Sequence, residues 1–202
     1  TEGGALTVLE RFVRDGELGL GAQLWLVRGP AGAAVGSGEQ EGAALRLSTL
    51  AEDGQLGRGA LPRAVGETMT DLLENGCACV PALALDESGL LLERGCGVLL
   101  PGGLAGWLEG DAARGLELPG GYAVEVTEVR LRWTPEADGG RVTGAGLVCR
   151  LTARLEEGAA APEKEELEGL ERELAAHSEG CIRAALDSLQ SRNTDCLSLT
   201  RR

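Results

Sequence analysis

The chain has 202 residues, enough for one or two domains with a real core, and 43% of them are hydrophobic while only 2% are aromatic. The core must therefore be built from Leu, Val and Ala rather than Phe and Tyr. A net charge of −13 and a pI near 4.6 argue against nucleic-acid binding and against unaided adsorption to an anionic membrane. No run reaches the roughly 18 apolar residues of a membrane span, and no signal-peptide pattern is present. The opening TEGGALTVLERF starts abruptly, so further sequence is expected upstream. The six cysteines, Cys77, Cys79, Cys96, Cys149, Cys181 and Cys196, sit mostly in apolar runs. A chain this long needs no staples, and free thiols are expected.

Residues 4–15 read as a helix, with Leu6, Leu9, Phe12 and Val13 on one face. Leu20 to Val27 reads as a buried strand ended by Arg28-Gly29-Pro30. Signals are weak from 30 to 60, with a short element at Ala43 to Leu50 and a loop at Glu52 to Gly59. Leu61 to Asn75 reads as a helix with Pro62 in its first turn and Leu61, Val65, Met69, Leu72 and Leu73 as its stripe. Asn75-Gly76 stops it. Cys77 to Leu85 is a strand in which Pro81 marks an edge or a start. Asp86 to Gly89 turns the chain, and Leu90 to Arg94 returns.

The stretch Glu93 to Leu118 reads as strand, Pro101-Gly102-Gly103 turn and strand, with Trp107 the largest side chain. Asp111 suits the N-cap of a short turn reaching Gly115. Alternation then takes over. Tyr122, Val124 and Val126 are in one phase and Val129, Leu131 and Trp133 in the other, which predicts a bulge between Val126 and Val129. A polar loop at Glu136 to Gly140 leads to a second long strand, Arg141 to Leu155, making an antiparallel hairpin. The last element is a long helix, about Pro162 to Gln190. Its N-terminal glutamates suit the positive end of the dipole. Its stripe is Leu167, Leu170, Leu174, Cys181, Ile182, Leu186 and Leu189. Gly169 and Gly180 each cost it roughly 1 kcal/mol relative to Ala, and Gly180 is a candidate kink. Asn193 to Arg202 reads as a frayed end.

Candidate chemistry is sparse. Cys77-Ala-Cys79 has no second Cys or His pair at ligand spacing, so packing explains it better than a metal. His177 is the only histidine. It lies near the stripe of the last helix without a visible orienter or nucleophile, which argues against a Ser-His-Asp set. Glu163 to Glu173 reads as the solvated face of a helix. Glu109 and Asp111 could pair as a glycosidase dyad, but no aromatic-lined cleft accompanies them. No Walker loop or GxGxxG stands between a strand and a helix. No catalytic, cofactor-binding or metal residue is assigned.

Four stretches, in order, resemble the Ger(x)C family of spore germination proteins, the lipoprotein C subunits of germinant receptors. The first is Leu9 to Val35, with Arg14-Asp15 and the small residues Gly29 and Ala31. The second is Leu61 to Leu85, with Val80-Pro81-Ala82-Leu83. The third is Gly95-Cys96-Gly97-Val98-Leu99, then Leu104-Ala105-Gly106-Trp107-Leu108 and Ala113-Arg114-Gly115-Leu116. The fourth is the hairpin, the Glu-rich helix and Thr194-Asp195. Pro101, Gly102 and Gly103 stand where the family has turn lysines, and Leu99 where it has Phe. Set against the family pattern, the lipid-bearing N-terminal Cys, the first part of the N-terminal domain and a final strand after Asp195 do not appear in this sequence. The chain is expected to be either a truncated form or a divergent member.

The expected fold is α+β. Residues 1–85 are expected to form the remainder of a smaller α/β domain. Residues 90–202 are expected to form a mainly antiparallel sheet with the Glu-rich helix packed on it. The resemblance implies a non-enzymatic receptor subunit, without cofactor, at the outer face of the spore inner membrane. It implies a lipid anchor in the full-length form and membrane-embedded A and B subunits as partners. The alternative is a small-ligand-binding or enzymatic α+β domain of a sporulating bacterium. A third reading is a structural spore-coat or scaffold protein.

Overall fold

The structure, a computed structural model, describes residues 4–16, 19–36, 42–55, 62–109, 116–118, 122–155, 162–192 and 194. The elements in order are α1 (Ala5–Arg14), β1 (Gln23–Leu24), β2 (Leu26–Val27), α2 (Ala31–Val35), α3 (Ala43–Gln55), β3 (Arg63–Ala64), α4 (Val65–Glu74), β4 (Ala78–Leu85), β5 (Leu91–Leu100), β6 (Gly103–Leu108), β7 (Leu116–Leu118), β8 (Tyr122–Asp138), β9 (Arg141–Leu155) and α5 (Lys164–Ser191). They form an α+β fold with a four-stranded mixed sheet, β2-β4-β5-β6, a three-stranded antiparallel sheet, β7-β8-β9, and a small β1-β3 ladder.

Strand alternation explains how the mixed sheet is covered. Ala78, Val80 and Leu99 point into one cluster with Leu9 of α1 and with Val65 and Leu72 of α4. Their neighbours Cys79 and Val98 point the other way, toward Leu108 and toward Leu189 near the end of α5. Leu83 and Leu91, with Trp25, pack against Ala34 of α2 and Leu50 of α3. Gly97 is needed on this sheet for close approach. A Cβ there would lie 2.4 Å from Leu26 Cδ1 and 3.1 Å from both Leu104 Cδ1 and the Trp107 ring.

Several expectations change. The strand expected from Leu20 to Val27 is split at Trp25, because its two halves serve different ladders: β1 pairs antiparallel with β3, and β2 pairs parallel with β4. The helix expected from Leu61 begins only at Val65, since Arg63 and Ala64 are held as strand by Leu24 and Gln23. The Ala64 N–H donates to Glu67 Oε2 at 2.9 Å, closing the first turn. Leu61 itself lies outside the described residues. The short element at Ala43 is a 13-residue helix reaching Gln55, into the expected loop. Pro81 is not on an edge strand. It lies beside the two-residue β2, whose partners on β4 are Ala82 and Leu83, so its missing N–H falls where the parallel pairing has ended.

The division expected at 85/90 falls inside the β4–β5 hairpin. Leu85 is paired with Leu91, so the hydrogen-bonded ladder of one sheet holds both sides together. β6 is the last strand of the four-stranded sheet and β7 the first of the three-stranded one. The turn expected at Asp111 to Gly115 lies outside the described residues.

The long hairpin forms as expected, with a register shift between Val126 and Glu128. The expected loop at Glu136 to Gly140 is shorter: strand continues to Asp138, and only Gly139 and Gly140, at φ 56° and 81°, make the turn. Two consecutive positive φ values are what a tight hairpin loop requires and what glycine tolerates. β8 tolerates Pro135 because β7 covers only its beginning, leaving one edge unpaired further along. α5 runs unbroken through Gly169 and Gly180 for 28 residues, with Pro162 two residues before its start.

The turn at 86–89 is closed by one carboxylate. Asp86 Oδ1 accepts from Ser88 Oγ at 2.7 Å, Leu90 N at 2.8 Å and Ser88 N at 2.9 Å. The Ser88 hydroxyl, with those amides, holds its pKa below the ordinary 3.8. A depressed carboxylate favours the folded turn above the ordinary value, and that contribution fades as pH falls through the lowered one. The carboxyl resonance of Asp86 is expected to titrate below 3.8 and to move upward in Ser88→Ala. Core and surface should also separate on α4. Leu72 is 2% exposed and Leu73 is 63% exposed. Leu72→Ala is expected to lower the unfolding free energy by roughly 2–5 kcal/mol. Leu73→Ala should stay within about 0.5 kcal/mol. Urea denaturation of the two variants measures both.

Candidate interaction surface

α5 is anchored at both ends and open along its middle. Near its start, Leu170 is buried with Leu118 and Val124, and Tyr122, Leu155 and Leu174 pack around them. Near its end, Leu189 is buried against Val98 and Leu108. Arg192 follows and lies over Gly106, where a Cβ would come within 2.7 Å of the guanidinium. Between these anchors α5 and β9 enclose an open cleft of about 770 Å³. Leu147, Cys149 and Leu151 form one wall, and Leu174, Ile182 and Leu186 the other. Glu171, Glu179, Arg183 and Asp187 also line it.

Cross-strand pairing continues the apolar wall onto β8. Val129 faces Leu151, Leu131 faces Cys149, and Trp133 faces Leu147. Val129 and Leu131 remain 43% and 54% exposed, although the alternation reads as a buried face. The opposite face of the hairpin carries Arg130, Arg132 and Arg150. Arg130 is bonded to Glu128 at 2.6 Å.

Such a cleft suits an apolar partner or ligand better than it suits catalysis. Its charges are on the helix, where Arg183 Nη2 pairs with Glu179 Oε1 at 2.6 Å and is held more basic by that carboxylate. No nucleophile–base pair is aimed into it among the described residues. Burial raises the pKa of the Cys149 thiol, and Cys149 and Cys181 are free thiols.

The residues weighed from sequence lie apart. Cys77 is buried just before β4, and its thiol donates to the Asn75 carbonyl at 3.8 Å. Cys79 and Cys96 pack beside Val98, Leu108 and Leu189. Glu109 accepts from Arg28 Nη1 at 2.7 and 3.0 Å, and the Arg28 guanidinium sits 4.8 Å from the Trp107 ring centroid. That carboxylate is an ion-pair partner rather than half of an acid–base dyad. Asp111 lies outside the described residues. The glutamates from Glu163 to Glu173 are exposed, and Glu166 accepts from the Glu163 N–H at 3.2 Å, closing the helix start. His177 is exposed, with Nε2 3.5 Å from Cys181 Sγ one turn on. Among the described residues no three His, Cys, Asp or Glu side chains converge as a metal set, and no helix is long and apolar enough to cross a membrane. The cleft itself was not singled out from sequence. Both of its apolar stripes were legible, but nothing local says that they face each other across a gap.

Fold and site together define an α+β protein in which one long helix packs on two sheets and leaves an open cleft of mixed apolar and charged lining, without an assembled catalytic centre among the described residues. A crystal structure of the GerBC protein matches the chain with a TM-score of 0.63 and 17% identity, over 96% of this chain and 62% of the GerBC chain. The chain therefore has a GerBC-like fold, of the Ger(x)C type, and spans 62% of the length of GerBC. No protein-family model matches the sequence, and no curated protein matches it.

The environment of Cys149 is open to measurement. Because its pKa is raised by burial, its thiolate fraction at any given pH is below that of an ordinary cysteine. Its alkylation rate, followed by peptide mapping, should keep rising at pH values where a free cysteine has reached its plateau.

Proposed function

We propose that this chain is part of a non-enzymatic subunit of a spore germinant receptor, needed for the response to small-molecule germinants. The observation that carries the proposal is the GerBC-like fold over 96% of the chain. In this reading the full-length protein is held by an N-terminal lipid at the outer face of the spore inner membrane. There it works with the membrane-embedded A and B subunits. It acts as a docking module, stabilising one state of the receptor by surface contacts. The α5–β9 cleft is the part of the surface best suited to such contacts, because it exposes apolar side chains on an otherwise acidic chain.

A second reading, a small-ligand-binding domain, is supported by the cleft volume of about 770 Å³, which lies in the usual range of ligand pockets. Titrating germinants into the isolated chain separates the two. Saturable shifts of Leu147, Cys149 and Ile182 resonances favour ligand binding, and their absence favours docking.

Deleting the gene is expected to abolish the response to particular germinants while spores form in normal numbers. Normal germination of that strain, with no related gene compensating, would overturn the receptor reading. Ile182→Asp combined with Leu186→Asp tests the cleft. The variant should keep its helical circular dichroism yet fail to restore germination. Full restoration would remove the cleft from the docking role and leave the receptor assignment standing.

A further inference from the structure

His177 and Cys181 stand one helical turn apart on the exposed side of α5, with Nε2 and Sγ separated by 3.5 Å. That spacing is a chelate bite. Metal–nitrogen bonds of about 2.0–2.1 Å and metal–sulfur bonds of about 2.3 Å, held at a tetrahedral angle, put the two donor atoms about 3.5 Å apart. The i,i+4 geometry of the helix supplies the separation. Both side chains are exposed, so an ion reaches them without leaving water entirely.

From this we infer that His177 and Cys181 form a bidentate site for a thiophilic divalent cation of the zinc type. Cys181 loses its thiol proton to solvent and donates a sulfur lone pair. His177 donates the Nε2 lone pair of its neutral ring. Water or an exogenous ligand fills the other two tetrahedral positions. A thiolate with an imidazole selects zinc, cobalt or a similar ion over magnesium and calcium, which prefer oxygen donors. The surroundings favour a cation. Glu173 lies one turn before His177, and the chain carries a net charge of −13. Of the nearby charges, Arg183 is already engaged by Glu179.

The assignment of donors is unambiguous on the nitrogen side, since His177 is the only histidine. Cobalt(II) is the probe, because a thiolate-to-cobalt charge-transfer band reports the sulfur bond directly. The full chain should show a saturating band at one equivalent. Cys181→Ser should lose the band, His177→Ala should shift the midpoint to higher cobalt, and Cys149→Ser should leave it unchanged. Amide exchange across 177–181 should also slow when zinc is added. The site is overturned if no band develops up to roughly millimolar cobalt, or if the band survives Cys181→Ser. Because both positions are exposed, unchanged far-ultraviolet dichroism in each variant separates loss of a ligand from loss of the fold.

Discussion

The architecture depends on how α5 is tied down. Leu170 secures one end under Leu118 and Val124, and Leu189 secures the other under Val98 and Leu108. The two larger sheets share no strand, and α5 packs against both. A helix rises about 1.5 Å per residue, so the two leucines set a strut of fixed length between the sheets. Arg192 extends the second anchor over β6, and the absence of a side chain at Gly106 is what makes room for it. The cleft follows from the same constraint. Between the two pins the facing side chains of β9 and α5 stand apart and line the open cleft.

The β4–β5 hairpin plays the corresponding role in the mixed sheet. Both strands are packed on both faces, by α1 and α4 on one side and by α2, α3 and the end of α5 on the other, with Arg94 left exposed. This is why β4, from Ala78 to Leu85, is apolar at every position while β8 and β9 alternate. The Asp86 turn lies inside this sheet. The turn is closed by three hydrogen bonds to one carboxylate, and the ladder on either side is continuous.

Much of the fold was legible because its signals are local. The Val126-to-Val129 phase change announced the bulge, Pro101-Gly102-Gly103 announced the β5–β6 turn, and the leucine stripe announced α5. The misplacements came where pairing across distance overruled local preference. Trp25 divides a run that reads as a single strand, because Leu24 and Leu26 belong to different ladders. Arg63 and Ala64 were claimed by β1 rather than by the helix that follows. For the site, Leu147, Ile182 and Leu186 were each visible as apolar positions. Their hydrophobicity alone made burial the natural expectation, and it carries no information about an unfilled gap. His177 and Cys181 were visible too, yet the side chains read as unrelated until the helix brought Nε2 and Sγ to 3.5 Å.

By itself the sequence determined an aliphatic, strongly acidic α+β chain, its long hairpin and its Glu-rich last helix. It also excluded a membrane-spanning run and a recognisable catalytic motif. These follow from composition and from periods of 2 and 3.6 residues, which act over a few neighbours. Only the tertiary structure decided that α5 bridges two sheets, that the hairpin at Asp86 lies within one of them, and that a cleft opens between α5 and β9. Those outcomes depend on which apolar faces meet and how far apart rigid elements are held. Such distances are set by contacts between residues far apart in the chain, and no local pattern records them.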